Sequence, residues 1–319
     1  MFKLLKRSAL VGACLAGALG MAAGPAAAAF PERTVTYVNP FSPGGECDIV
    51  QRMQQEPLKQ ELGQDVVIEY REGGGGAVGW AHVSRQRADG YTFACFSIPH
   101  IIAQPMTRNP GYQTDDLQII YTYHSTPQVL VVREDSPFKT LEDFINAAKE
   151  NPGSITVGGT GTASGNHLGA VRLMRAADIR LTWIPFPGSG PTIPALQGGH
   201  VGALMTNSTM YVQNKDRFRA LAVSTEERVP FIPDVPTFKE LGYDVVEAIY
   251  RGALGPAGMP EEAVNRIAEA LDKVNRAQAE RKQEMGFQMH YYGPKESAEL
   301  VERLKVDYGA LLEELGMAR

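Results

Sequence analysis

Two glycine-rich turns have the composition of small-anion sites. The first, Pro40 to Asp48, follows a β-branched segment, Thr34 to Val38, and precedes apolar residues at helical spacing. Gly44 and Gly45 would let a ligand approach the backbone, and the first N–H groups of the following helix carry a partial positive charge. The turn could therefore bind a carboxylate or phosphate, although Pro and Gly in such a turn can also serve only to reverse the chain.

The second turn, Gly158 to Gly165, lies between the predicted strand Ser154 to Val157 and the predicted helix Asn166 to Ala177. Its spacing comes close to the Gly-x-Gly-x-x-Gly motif of dinucleotide-binding proteins. However, Ser164 replaces the third glycine, and Pro185 to Pro187 stands where an acidic ribose partner would be expected. The sequence therefore favours a small anion over NAD.

Ser164 and His167 lie three residues apart at the start of this helix, which invites comparison with serine hydrolases. The Gly-x-Ser-x-Gly motif is absent, and no acid that would orient the histidine is evident. We expect Ser164 to cap the helix or bind a ligand, and His167 to be packed or hydrogen-bonded. An exported enzyme that uses these two residues is the alternative from another functional class.

Residues 1–29 have the pattern of a secretory signal peptide. A basic segment precedes an apolar stretch from Ser8 to Ala23, and Ala27 to Ala29 forms an A-x-A signal. We predict cleavage after Ala29 and export to the periplasm. A lipoprotein signal at Cys14 is less favoured, because the apolar stretch before it is shorter than usual.

The remaining composition excludes several classes of partner. Without residues 1–29, which contribute three basic and no acidic residues, the formal net charge changes from −5 to −8. This balance disfavours a surface for nucleic acid or another polyanion. No further apolar run approaches the length of a membrane span.

Cys47 and Cys95 are the cysteines that remain after the predicted cleavage, too few for a disulfide framework. They could form one bridge, since each lies near the end of a predicted strand and the two strands could be neighbours. No Cys-x-x-Cys or His-rich spacing predicts zinc, and we expect neither a metal nor a cofactor.

The predicted elements indicate two α/β lobes. A β-α-β-α-β order from Thr34 to Phe96 predicts a parallel sheet with right-handed crossovers, and Gly73 to Gly76 forms a tight turn within it. Prolines mark a loop from Ser97 to Tyr112. The apolar strand Gln128 to Arg133 crosses into the second lobe, and prolines from Pro230 to Pro236 mark the return. The predicted boundaries are 30–128 and 237–319 for the first lobe and 129–236 for the second.

The chain resembles, over essentially its whole predicted mature length, the substrate-binding proteins of the tripartite tricarboxylate transporter family, also called Bug receptors. Each motif alone is weak, but their order and spacing together are specific. The motifs are Asn39–Gly45 with Asp48 and Arg52, Leu62–Gln64, Ala88–Thr92, Val129–Val132, Gly159–Gly161 with His167–Leu168, Gly188–Ser189, Leu196–Gly199, Arg219–Val223, Pro233–Thr237 and Gly255–Gly258.

This resemblance implies an α/β fold like that of type II periplasmic binding proteins: two lobes, each with a central, mostly parallel sheet flanked by helices, joined by crossover strands. Such a receptor closes on a small organic carboxylate, here a di- or tricarboxylate or an aromatic acid, without turning it over. It acts as a monomer and delivers the ligand to integral-membrane permease subunits. A subunit that presents its ligand to a membrane sensor kinase is a second alternative.

The resemblance also assigns ligand-binding residues by position. Asp48 is expected at the distal end or amine of the ligand, and Thr206 with Asn207 at the back of the pocket. Glu46 is an acid where relatives usually have small or uncharged residues, so it would weaken carboxylate binding unless it points away or contacts a polar or cationic part of the ligand. The predicted ligand-binding residues are Phe41, Ser42, Gly44, Gly45, Asp48, Ser97, Thr160, Gly161, Ser164, His167, Thr206 and Asn207.

Overall fold

The computed structural model describes residues 30–319, so the predicted signal peptide lies outside the described residues. Within this range no helix is both long enough and apolar enough to cross a bilayer. The strands are β1 (Val35–Asn39), β2 (Val66–Tyr70), β3 (Thr92–Ile98), β4 (Leu117–Arg133), β5 (Thr156–Thr160), β6 (Thr182–Phe186), β7 (Ala203–Asn207), β8 (Phe218–Val223), β9 (Ala248–Pro256) and β10 (Gln288–Tyr292). The α-helices are α1 (Glu46–Leu62), α2 (Ala77–Val83), α3 (His100–Thr107), α4 (Leu141–Glu150), α5 (Gly165–Ala177), α6 (Thr192–Gln197), α7 (Ser208–Val212), α8 (Glu261–Ala277), α9 (Ala279–Glu284) and α10 (Pro294–Glu314).

The strands form two sheet regions that define two lobes. In lobe 1 the order is β2-β1-β3-β9-β4-β10, with β1 parallel to β2 and β3 and the remaining pairs antiparallel. In lobe 2 the order is β8-β4-β7-β5-β6, with β5 parallel to β6 and β7. Helices α1–α3 and α8–α10 belong to lobe 1, and α4–α7 belong to lobe 2. The α/β fold class predicted from the sequence is confirmed.

Strand β4 belongs to both lobes. Its first part, Leu117 to Pro127, pairs with β9, whereas Gln128 to Arg133 pairs with β7 and β8. The sequence predicted a strand only for the second part, because Thr122 to Thr126 is mostly polar. Those polar side chains are nevertheless buried, since they lie where the two lobes and the strands between them meet.

The return to lobe 1 occurs later than the sequence predicts. Phe238 and Val245 pack in the core of lobe 2, so the chain enters lobe 1 with β9 rather than at residue 237. The prolines from Pro230 to Pro236 mark a loop over lobe 2 and not the crossing itself.

The predicted loop from Ser97 to Tyr112 contains helix α3. Ile101, Ile102 and Ala103 are buried in the lobe 1 core. Pro105 falls near the end of the helix, where it removes one backbone hydrogen bond. Burial of the apolar residues therefore outweighs the proline signal that indicated a loop.

Cys47, in the first turn of α1, forms a disulfide with Cys95 in β3. Both residues are buried in the lobe 1 core. The two cysteines thus form the single bridge that the sequence allowed, and this bridge fixes the first turn of α1 to the central sheet.

Reduction of this disulfide should destabilise the protein. The bridge closes a loop with a sequence separation of 48, for which chain entropy corresponds to about 4 kcal/mol. Urea unfolding with and without reductant should show a loss of that order. A Cys47→Ala/Cys95→Ala variant is the control, because reductant should not change its stability. Equal stability of the wild type in both conditions would contradict the prediction.

A lysine amine is buried in lobe 1. Lys282 in α9 has no solvent exposure, and its Nζ donates to the Asn275 side-chain oxygen. The ring centroid of Tyr123 lies 5.8 Å from the same Nζ. Burial lowers the pKa of Lys282 to about 7, because the interior disfavours the charged form.

Replacement of Lys282 by Met should stabilise the protein most at or below pH 7. The pKa is lower in the folded state than in the unfolded chain, so protonation opposes folding below about pH 7 by up to ~5 kcal/mol. The gain in the free energy of unfolding should shrink as the pH rises toward about 10, where the Lys282 amine loses its proton in the unfolded chain as well. Urea unfolding at pH 6, 8 and 10 measures it. Exposed Lys149→Met is the control, and a Lys282→Met variant that is less stable at every pH would refute the idea.

Candidate functional site

The lobes meet along loops whose glycines lie in backbone contact. A Cβ added to Gly161 of lobe 2 would lie 2.6 Å from the Cα of Gly75 in lobe 1. A Cβ added to Gly190 of lobe 2 would lie 2.3 Å from the carbonyl oxygen of Pro43 in lobe 1. We call these contacts the glycine seam. Gly75 belongs to the turn Gly73 to Gly76 that the sequence predicted, so this turn contacts the second lobe.

A small cavity of about 10 Å³ lies beside the seam. It has room for roughly one water-sized molecule, so the lobes must move apart to admit a larger ligand. Both lobes contribute to its wall. The lining residues are Phe41, Gly45, Glu46, Cys47, His100 and Arg251 from lobe 1, and Thr160 and Ser189 from lobe 2.

The N-terminus of α1 faces this cavity. Gly45 is the N-cap residue and has no side chain that could cap the helix, and Glu46 and Cys47 form its first turn. The first backbone N–H groups of an α-helix have no partner within the helix and carry partial positive charge. The wall of the cavity can therefore bind an anion through backbone N–H groups.

Arg251 and His100 bring two further polar groups to the cavity. Both residues are buried, and neither the Nε of Arg251 nor the Nδ1 of His100 has a hydrogen-bond partner among the described residues. Burial and the nearby guanidinium lower the pKa of His100 well below its usual range, so the ring is neutral at physiological pH.

Sequence reasoning did not identify Arg251 or His100 as site residues. His100 lay in a predicted loop, and Arg251 lay within a predicted strand. One signal could have revealed Arg251: a charged residue in an otherwise apolar strand requires a buried partner.

Glu46 extends into the protein between the lobes. Arg251 forms an ion pair with its carboxylate, which also accepts hydrogen bonds from the side chains of Asn207 at 2.8 Å, Thr126 at 3.3 Å and Thr209. Burial raises the pKa of Glu46, while Arg251 and the hydrogen bonds favour the ionised form. The acid in the anion loop is therefore satisfied by the protein's own cation and amide.

The hydroxyl of Ser164 and the ring of His167 form no hydrogen bond with each other among the described residues. The Ser164 hydroxyl accepts a hydrogen bond from the His167 backbone N–H at 3.1 Å and thereby caps α5. The His167 Nδ1 accepts from the backbone N–H of Ala163 at 3.3 Å, and its ring packs on Trp183. Burial lowers the pKa of His167 to about 4. Both side chains thus stabilise the start of α5.

Asp48 and Asn207 have partners within the protein. Asp48 accepts from the Gly44 N–H at 2.8 Å and pairs with Arg52, so it holds the first turn together. Asn207 bridges Glu46 and Asn166.

The remaining predicted residues occupy several environments. Ser42 donates to Glu72, and Ser97 is buried beside Arg251 with its hydroxyl unpaired among the described residues. Thr206 is buried in β7. Of the predicted ligand-binding residues, the structure brings three to the cavity wall: Phe41, Gly45 and Thr160.

Comparison with known proteins gives one consistent result. A model of the tripartite tricarboxylate transporter family receptor matches residues 50–317. The protein BugT of Bordetella pertussis is 31% identical over 273 residues, which cover 82% of this chain and 83% of BugT.

Two solved structures from Rhodopseudomonas palustris are also similar. MatC, solved with bound malate, has a TM-score of 0.83 and 26% identity and covers 89% of this chain and 100% of its own. A second protein, solved with adipate, has a TM-score of 0.85 and 26% identity and covers 91% of this chain and 99% of its own.

A side chain at Gly190 should hold the lobes apart. Gly190→Ala places a methyl group against the Pro43 carbonyl in the other lobe, whereas the Cβ of the control variant Gly309→Ala meets nothing within 4 Å. We expect a larger radius of gyration by small-angle X-ray scattering for Gly190→Ala alone, with cooperative unfolding retained. Identical scattering from both variants would show that the seam does not control closure.

Proposed function

The chain belongs to the tripartite tricarboxylate transporter receptor family, and we propose that it captures a small organic carboxylate between its lobes. Members of this family are periplasmic solute-binding receptors, and the proposal assigns this role without catalysis. The captured acid would then pass to the membrane permease subunits of the transporter. We propose delivery of the acid to a permease because the members of this family are receptors of a transporter. A membrane sensor kinase as the partner would require the same binding of the acid.

The cavity at the N-terminus of α1 is the main observation that supports this proposal. An uncapped helix start, the unpartnered Nε of Arg251 and the unpartnered Nδ1 of His100 converge on one space that the second lobe closes. A carboxylate can accept several such hydrogen bonds at once. The bound malate and adipate of the two similar structures support the same ligand class.

The energy of binding must come from several sources. A helix N-terminus stabilises an anion by roughly 0.3 to 2 kcal/mol, whereas micromolar affinity requires about 8 kcal/mol. Hydrogen bonds from the cavity wall and the exclusion of water on closure would supply the remainder. Because the helix N-terminus supplies only part of the binding free energy, strong binding should require contacts from both lobes.

We propose different roles for the residues predicted from the sequence. Phe41, Gly45 and Thr160 would contact the ligand, together with Arg251 and His100. Ser97 pairs with Arg251 across β3 and β9, and we propose that it would contact a ligand that extends beyond the cavity. The others would shape the loops and the seam: Ser42, Gly44, Asp48, Gly161, Ser164, His167, Thr206 and Asn207.

A thermal-shift screen of organic acids should identify ligands. An acid at 100 times its Kd stabilises the folded state by about 2.7 kcal/mol, which raises Tm by several degrees. The fully amidated analogue of each acid should give no shift, because it lacks the anion. A screen of mono-, di- and tricarboxylates in which none raises Tm would overturn the proposal.

The same experiment separates binding from catalysis. Bound acid recovered after incubation should be chemically unchanged by mass spectrometry. Ester hydrolysis that is lost in Ser164→Ala would instead support the hydrolase alternative.

A further inference from the structure

The wall of the cavity already contains a carboxylate, that of Glu46. The two oxygens of this group take hydrogen bonds or an ion pair from Asn207 and Thr209 of lobe 2 and from Thr126 and Arg251 on the strands that meet there. The side chain of Glu46 is 1% exposed and that of Arg251 5% exposed. An internal carboxylate thus occupies the donors that a second ligand carboxylate would need.

The charges on the cavity wall cancel. Glu46 and Arg251 are the lining residues with ionisable charges at neutral pH, since the buried His100 is uncharged. A ligand that places one carboxylate at the α1 N-terminus meets partial positive charge from the helix. A second carboxylate would meet a buried anion at close range, with the only cation already paired.

Hydrogen-bonding capacity remains on the cavity wall. The Nη1 of Arg251 binds Glu46 and the Thr126 hydroxyl at 3.1 Å, but its Nε–H has no partner among the described residues. The Nδ1 of His100, which lines the same cavity, is also buried without a partner among the described residues. These groups can serve an uncharged acceptor such as an amide, keto or hydroxyl oxygen without adding charge.

We propose that Glu46 makes this protein select monoanionic acids whose far end carries an uncharged polar group, and reject the corresponding diacids. This inference rests on the proposed function, since it concerns the second half of the same ligand. Glu46 acts here as a specificity-determining residue. Its carboxylate neutralises the positive charge of Arg251, and the Nε–H of Arg251 remains available to a neutral acceptor.

Matched pairs of probes test the charge preference directly. Succinate, glutarate and adipate differ from their monoamides, succinamate, glutaramate and adipamate, by one charge at nearly constant shape. Isothermal titration calorimetry of the wild-type protein should give at least tenfold tighter binding for the monoamide in every pair that binds. A diacid that binds as tightly as its monoamide overturns the inference and leaves carboxylate capture intact.

A variant at Glu46 tests the same preference. Glu46→Gln frees the charge of Arg251, so the ratio of affinities should shift at least tenfold toward the diacid. Glu150→Gln, which removes the same charge from an exposed position at the end of α4, should leave the ratio unchanged. An unchanged ratio in Glu46→Gln also overturns the inference. The wild-type comparison stands even if this variant does not fold.

The experiments distinguish failure of the proposed preference for monoanionic acids from failure of the proposed carboxylate capture. If no probe in any pair binds while other organic acids raise Tm, the inference about the far end is overturned and capture of an acid stands. If no organic acid of any charge raises Tm, the proposed function itself is overturned.

Discussion

The buried ion pair between Glu46 and Arg251 is the interaction on which the arrangement of the lobes depends. A buried charge without a partner is strongly destabilising, so each of these groups requires the other. Glu46 begins α1 in lobe 1, yet its carboxylate is completed by Asn207 and Thr209 in lobe 2. The two lobes must therefore be close together for this carboxylate to be fully hydrogen-bonded, which links its electrostatics to closure.

A second buried carboxylate links the lobes away from the cavity. Glu247 directly precedes β9, pairs with Arg172 from α5 of lobe 2, and accepts a hydrogen bond from Tyr308 in α10 of lobe 1. Burial raises the pKa of Glu247, and the guanidinium and phenol offset that effect. The segment that leads into β9 thus has a charged contact to lobe 2 and a hydrogen bond to lobe 1, which limits how the lobes can move relative to one another.

Two local features fix the α1 N-terminus, where we propose that the anion binds. The Cys47–Cys95 disulfide joins its first turn to β3, and the Asp48 carboxylate accepts a hydrogen bond from the Gly44 N–H. The glycine seam then lets the second lobe approach at backbone distance. A site ordered in advance loses less conformational entropy on binding, which increases affinity without additional contacts.

The sequence by itself determined the α/β fold class and the strand-helix order around α1 and α5, because these follow from local periodicity and from Gly and Pro chemistry. The tertiary structure decided the rest. Arg251 in β9 and His100 in α3 line the same cavity as Glu46 in α1 although both lie far from it along the chain, so only the folded structure brings them together. The partners of Glu46 likewise come from distant segments, so no local pattern could reveal that its charge is neutralised within the protein.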